Sequence, residues 1–523
     1  MFSLHVSLLS RLAIRRRRHI SGCVLLAAGV AALPLAAQNP PLPAAPPGAV
    51  ERGVPAFVVL GTEALGLSTA PTDLHQLPDG RILVVTRSEL ALGDGVRWEV
   101  FRRAVSDQNV DTLNVAVDTD GGLYAGVTGG FARIEFGADG TWSRQRVAEV
   151  PRDSASGPPP AFSVVTAAGR GWYWHTDGGL FVSWRPGQPV RPLGQINTAE
   201  RVFAVGTAVY ANEMATGSVF RVEDTGFLPA IPASATTATN AITCAAPFNA
   251  TTSLVGTTAG GLRFFDGTSL SPFSRDNLLS GIHRINDLCA AGPDHYAAAV
   301  DAVGLVFFDR TGRVVQVLPS ALDQRFARVQ RLNYTPDGIV WALLDEGIAR
   351  IRFPSPLSYF NPLVPTGLAY AQPTRQDGLL WLLTDGRVLR AVYSVERRLE
   401  RFIDDTPPGN YVHSISALAG PLLASNEAGI YRYDGSDWNL AAPGPINARI
   451  NIRSRDGHRW LYVARGEIGW LTPTARGLKL QRFPVAELGD NYGVPEDSAG
   501  IVWTELGDSH VGRIDLSGDT PRI

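Results

Sequence analysis

The stretch Gly171-Trp172-Tyr173-Trp174-His175 sets three aromatic rings and an imidazole side by side. Rings of this kind stack on sugars and other flat ligands. Trp172, Trp174 and His175 are therefore the candidate binding residues, set against a plainer reading as core packing between sheets with a solvated imidazole. Other chemistry is sparse. His75, His175, His283, His295, His413, His458 and His510 are scattered, with no pair at metal-ligand spacing. There is no Gly-x-Ser-x-Gly elbow and no phosphate-binding loop. Asp118-Thr119-Asp120-Gly121 begins like a calcium loop but lacks the distal Glu. Gly137-Ala138-Asp139-Gly140-Thr141-Trp142 reads as a hairpin turn. No catalytic residue, metal or cofactor is assigned from these patterns.

The elements that must position these side chains are short strands. From about Asp73 onward, an Asp/Gly turn leads into an apolar strand, as in Asp337-Gly338-Ile339-Val340-Trp341-Ala342 and Asp377-Gly378-Leu379-Leu380-Trp381-Leu382. A second turn then opens a strand beginning Gly-apolar, as in Gly261-Leu262-Arg263-Phe264, Gly304-Leu305-Val306-Phe307 and Gly347-Ile348-Ala349-Arg350. Asp-Gly supports tight turns because Gly accepts positive φ and Asp bonds the following backbone. The period is near 43 residues, the length of a four-stranded propeller blade. Each blade completes its core only against its neighbours. Trp341, Trp381, Trp438, Trp460 and Trp503 recur with the repeat and are read as structural.

Composition agrees with an all-β chain. Gly (54) and Pro (37) are plentiful in the 523 residues, Met is nearly absent at 2, and no helical apolar periodicity runs through the body. Residues 1–37 carry Arg11 and Arg15 to Arg18 ahead of an apolar stretch, which reads as an export signal with cleavage after Ala37. Without it the net charge is about −7, with no basic stripe, which argues against nucleic acid as a partner. Residues 38–56 form a Pro-rich linker. No membrane span is expected beyond the signal segment, so the expected location is periplasmic or secreted. Cys244 and Cys289 occupy matching places in consecutive repeats and read as buried small residues rather than a bridge.

Eleven units are too many for one ring of four to eight blades. Two prolines in Phe353-Pro354-Ser355-Pro356 divide them. The expected architecture is tandem β-propellers, seven blades over 57–353 and about four over 354–523, the second ring incomplete or small. A seven-bladed second ring would need roughly 130 further residues at this period, so a truncated receptor is expected.

The unit Asp-x-x-Gly-x-apolar-Trp/Tyr with Gly-apolar-x-Arg/aromatic resembles the two-component-regulator propeller repeat. Residues 337–350 and Gly429-Ile430-Tyr431-Arg432-Tyr433-Asp434-Gly435-Ser436-Asp437-Trp438 carry the likeness best, over about residues 57 to 523. The resemblance implies a non-catalytic periplasmic sensor of two seven-bladed propellers, able to dimerise, with a small-molecule or glycan ligand. In that family a β-sandwich with three tyrosines, a membrane helix and an output such as a histidine kinase usually follow. None follows Ile523 in this sequence. Two other readings stay open: a secreted propeller enzyme of lyase or quinone-dependent dehydrogenase type, and a free-standing ligand-binding scaffold. The enzyme would need a polar cluster converging at one ring's central channel.

Overall fold

The computed structural model describes residues 51–523 except 106–113, 152–161, 163, 169–170, 177–178, 197–198, 214, 233–240, 366–369, 418–420, 445–447, 454–457, 475–476, 490–494, 508–509 and 519. The export signal and the linker up to residue 50 lie outside the described residues. Nearly every described element is a strand, and nearly every sheet is a four-stranded antiparallel meander.

Seven inner strands come together in chain order: Asp73–Gln76, Val115–Val117, Val164–Ala168, Ala199–Val205, Ile242–Pro247, Ile285–Ala290 and Arg331–Thr335. The seventh blade is completed from the other end of the chain. Phe57–Gly61 pairs antiparallel with Gly347–Arg352, from Phe57 opposite Ile351 to Gly61 opposite Gly347. The first two blades are further joined by a short parallel pairing of Arg102 and Arg103 with Thr141 and Trp142.

Side-chain alternation explains why the second strand of a blade is apolar throughout. In Ile82–Val85, Leu83 and Val85 pack against the second blade, whereas Ile82 and Val84 pack against the seventh. In Ile339–Leu344, Val340, Ala342 and Leu344 face the sixth blade, while Ile339, Trp341 and Leu343 face the first. Successive residues point to opposite faces, and both faces here are covered. Each adjacent pair of blades has its own apolar cluster, including the seventh with the first. The ring is closed.

Inner strands lie too far apart to share a ladder, so polar side chains reach across. Asn212 Nδ2 donates to Ile242 O at 3.0 Å, and Thr243 Oγ1 donates to Ile285 O. Leu332 N–H donates to Asp287 Oδ2 at 2.7 Å. These bonds satisfy backbone groups that would otherwise be buried without partners.

The second array is an open arc. Three complete blades begin at Gln372–Gln376, Ser414–Ala417 and Arg449–Arg453, and the hairpin Ile501–Leu506 with His510–Asp515 follows. Single bridges from Glu496 to Val502 and from Asp515 to Arg522 flank that hairpin, so among the described residues the fourth unit is a partial blade. The leading face of the first of these blades is covered by Phe360, Leu363 and Val364. The fold is thus all-β and built of tandem propellers, the first closed with seven blades and the second incomplete. Among the described residues, no helix is long and apolar enough to cross a membrane.

Closure leaves little room at Gly347, whose φ is +137° and where an added Cβ would lie 2.2 Å from Leu60 O. Gly347→Ala is expected to cost about 3 kcal/mol or more, against about 1 kcal/mol for Gly466→Ala. Gly466 has φ +75° and open space around it. Urea midpoints followed by tryptophan fluorescence would check the difference.

Candidate ligand-binding site

Trp172, Trp174 and His175 lie on the strand Gly171–His175, and the structure buries all three, at 4%, 0% and 7% exposure. The two indoles join Phe131, Phe162 and Trp184 in the core between the second and third blades. Phe131 stacks on Trp184 with centroids 4.5 Å apart and planes 3° from parallel, and Trp174 Nε1 donates to Trp184 O at 3.1 Å. His175 stacks on Phe181 at 4.9 Å. The aromatic faces are used inside the protein, so packing accounts for these three residues.

The other motifs are also structural. Asp118 Oδ1 accepts from Arg185 Nη2 at 2.9 Å, so the loop that begins like a calcium site has its first carboxylate paired with a cation. Asp139 Oδ1 accepts from the Thr141 N–H and hydroxyl, as a hairpin turn requires. Trp341, Trp381 and Trp460 are buried. Cys244 and Cys289 are both free thiols, and burial pushes the Cys289 thiol strongly up. No group of three or more metal-binding side chains occurs among the described residues.

The polar residues that do converge lie at one mouth of the first ring's channel, where inner strands begin and the second hairpin of each blade turns. A cavity of about 860 Å³ opens there. Its walls come from Thr72 ahead of the first blade, Thr243 of the fifth, Arg284, Asn286 and Asp301 of the sixth, and Arg328, Gln330, Arg331 and Asp345 of the seventh. Asn286 Nδ2 donates to Asp301 Oδ1 at 3.3 Å, and Gln330 Nε2 donates to Asp345 Oδ1 at 2.7 Å. Arg284 Nε donates to Asn286 Oδ1 at 3.2 Å. Amides therefore reach both carboxylates of the wall. Volume and polarity suit a small hydroxylated ligand.

Behind Arg331 sits Asp73, 7% exposed, on the first inner strand. Its Oδ2 is 3.1 Å from His75 Nε2, and its Oδ1 is 3.9 Å from Arg331 Nε and accepts from Leu74 N–H. The His75 contact is close but off hydrogen-bond geometry. Burial works against ionising Asp73, yet His75, Arg331 and the Leu74 N–H outweigh it and hold the carboxyl well below its usual range. A second cavity, about 400 Å³, lies where the two arrays meet. Val303, Val315, Val317 and Leu399 give it apolar walls, and an Arg398–Asp276 ion pair crosses the junction beside it.

No family model matches the chain, and no curated protein matches it. Solved structures do. Two are extracellular domains of proteins described as hybrid two-component systems of B. thetaiotaomicron. One is 15% identical, covering 90% of this chain and 73% of that one, with a TM-score of 0.45. The other is also 15% identical, covering 86% and 76%, with a TM-score of 0.45. A virginiamycin B lyase of Staphylococcus aureus is 11% identical over 57% of this chain and 99% of its own, with a TM-score of 0.44. These likenesses carry no functional weight. The propeller assignment rests on sheet order and ring closure.

Two outcomes follow from the geometry. Trp174→Ala removes a fully buried indole and should cost about 3–5 kcal/mol, read as a lowered thermal midpoint. Asp73, with its carboxyl depressed in the folded protein, contributes stability that is complete above its unfolded value of about 3.9 and drains away as pH falls below it. Asp73→Asn should therefore flatten the acid limb of the stability–pH curve, measured by urea unfolding between pH 6 and pH 3.

Proposed function

We propose that this chain is the extracytoplasmic ligand-binding propeller region of a signalling receptor, and that it receives a small polar ligand, a carbohydrate in the first instance, without transforming it. The observation that carries this is the cavity at the first ring's channel mouth, walled by paired carboxylates, amides and arginines from four blades. A rigid closed ring holds such a wall in place without ordering it on binding. The arginine-led, apolar N-terminus and the propeller repeat of the sequence support export and a sensory role.

A lyase-type reading draws on one feature, the Asp73–His75 contact, since a carboxylate-oriented imidazole near a channel mouth is the makings of a general base. Two facts count against it. The nitrogen turned to Asp73 is Nε2, and neither residue belongs to the cavity wall.

Thermal-shift screening of the exported chain against an oligosaccharide set tests the proposal. A ligand at a hundred times its Kd adds about 2.7 kcal/mol of stability. Asp345→Ala and Asn286→Ala should abolish the shift, and the ligand should be recovered unchanged after prolonged incubation. Binding indifferent to both substitutions would overturn the site. Turnover that His75→Gln abolishes would put the lyase in its place.

A further inference from the structure

Resting on that reading, we infer that the channel mouth is selective for an anionic saccharide, one bearing a carboxylate or sulfate, with Arg328 and Arg331 as its anion-binding residues. The charges of the wall are three arginines (Arg284, Arg328, Arg331) against two aspartates (Asp301, Asp345). A mixed wall favours neither sign where its cations and carboxylates pair with one another, but here amides reach both carboxylates. Asn286 and Gln330 cover one carboxylate each.

Arg328 is exposed at the end of the 3-10 turn Gln324–Arg328 and makes no ion pair or side-chain hydrogen bond among the described residues. The turn is fixed beneath it: Phe326 is fully buried, and Ala302 N–H donates to Ala327 O at 2.9 Å. Arg331, three residues on, lies 3.9 Å from Asp73, beyond hydrogen-bond distance, and that carboxylate is already engaged by His75 and Leu74. Arg328 thus stands on the cavity wall with its fork donors uncommitted among the described residues, and Arg331 beside it makes only a long ion pair to Asp73; guanidinium donors match carboxylate and sulfate oxygens in pairs.

The rest of the molecule sharpens the contrast. Beyond residue 37 the chain carries about −7, so its surface at large repels anions while this concave mouth attracts them. The hydroxyls of a sugar would meet Thr72 and the remaining lone pairs of Asp301 and Asp345.

Isothermal titration of the exported chain with trigalacturonic acid, a sulfated chondroitin disaccharide and neutral maltotriose provides the test. At least one acidic saccharide should bind at least tenfold more tightly than maltotriose, and more weakly as NaCl is raised. Arg328→Ala and Arg331→Ala should each weaken it about ten- to a hundredfold. Asp345→Asn should tighten it, whereas Arg387→Ala, on the second array, should leave it unchanged. Arg328 is exposed, so its truncation does not endanger folding. Acidic saccharides bound as before by Arg328→Ala and Arg331→Ala would overturn the anion assignment. Maltotriose bound at the mouth as tightly as the acids would overturn it too, and leave the proposed function standing. Failure of all three saccharides to bind would overturn both.

Discussion

A blade of four strands has two apolar faces and can hide neither by itself, and everything else in this molecule follows from that constraint. The first ring answers it with one packed interface for every blade, including the seventh against the first. That last interface exists because Phe57–Gly61 lies as the outer strand of a blade whose other strands lie near residue 350. The edge that strand would otherwise leave open is the kind of row of unpaired backbone groups that invites aggregation. Leu and Ile side chains buried at each interface contribute about 1.5–3 kcal/mol apiece, so losing one interface would expose several such side chains at once.

The same arrangement dictates where polarity is allowed. Blade faces are apolar, so polar side chains gather along the inner strands, the ends of the strands beside them and their turns, where backbone groups of a neighbouring blade need partners. Some are consumed in that task, as Asn212, Thr243 and Asp287 are. Others, at the mouth, pair with one another and face a cavity. The site is the surplus left after the ring has satisfied its own backbone.

Much of the fold was legible. The 43-residue period, the Asp-Gly turns and the uninterrupted apolar second strands, such as Ile339–Leu344, all reflect sheets covered on both sides. The closing strand was not. Phe57–Gly61 is a bare apolar stretch with no turn signature of the repeat, and its pairing is set by ring geometry rather than by neighbours in sequence. The aromatic run at Trp172 and Trp174 drew attention as a binding platform because composition does not reveal which side of a strand is covered; both indoles proved to be core. The mouth had no motif to betray it. Thr72, Asn286 and Gln330 belong to different blades and only the closed ring makes them neighbours. The last unit carries a Gly500 turn like those of complete blades, and its described residues form a hairpin with a single-residue bridge on either side.

Pairing the start of the ring with its end also has a consequence in time. During vectorial synthesis Phe57 emerges early and Ile351 late, and neither has its partner until nearly the whole ring has been made. Contacts so distant in sequence form slowly, because the chain entropy of bringing the ends together is lost before any ladder forms. Until then six blades have their sheets but not their circle, and the apolar flank of the first waits uncovered. That interval is when a holdase would find most to grip.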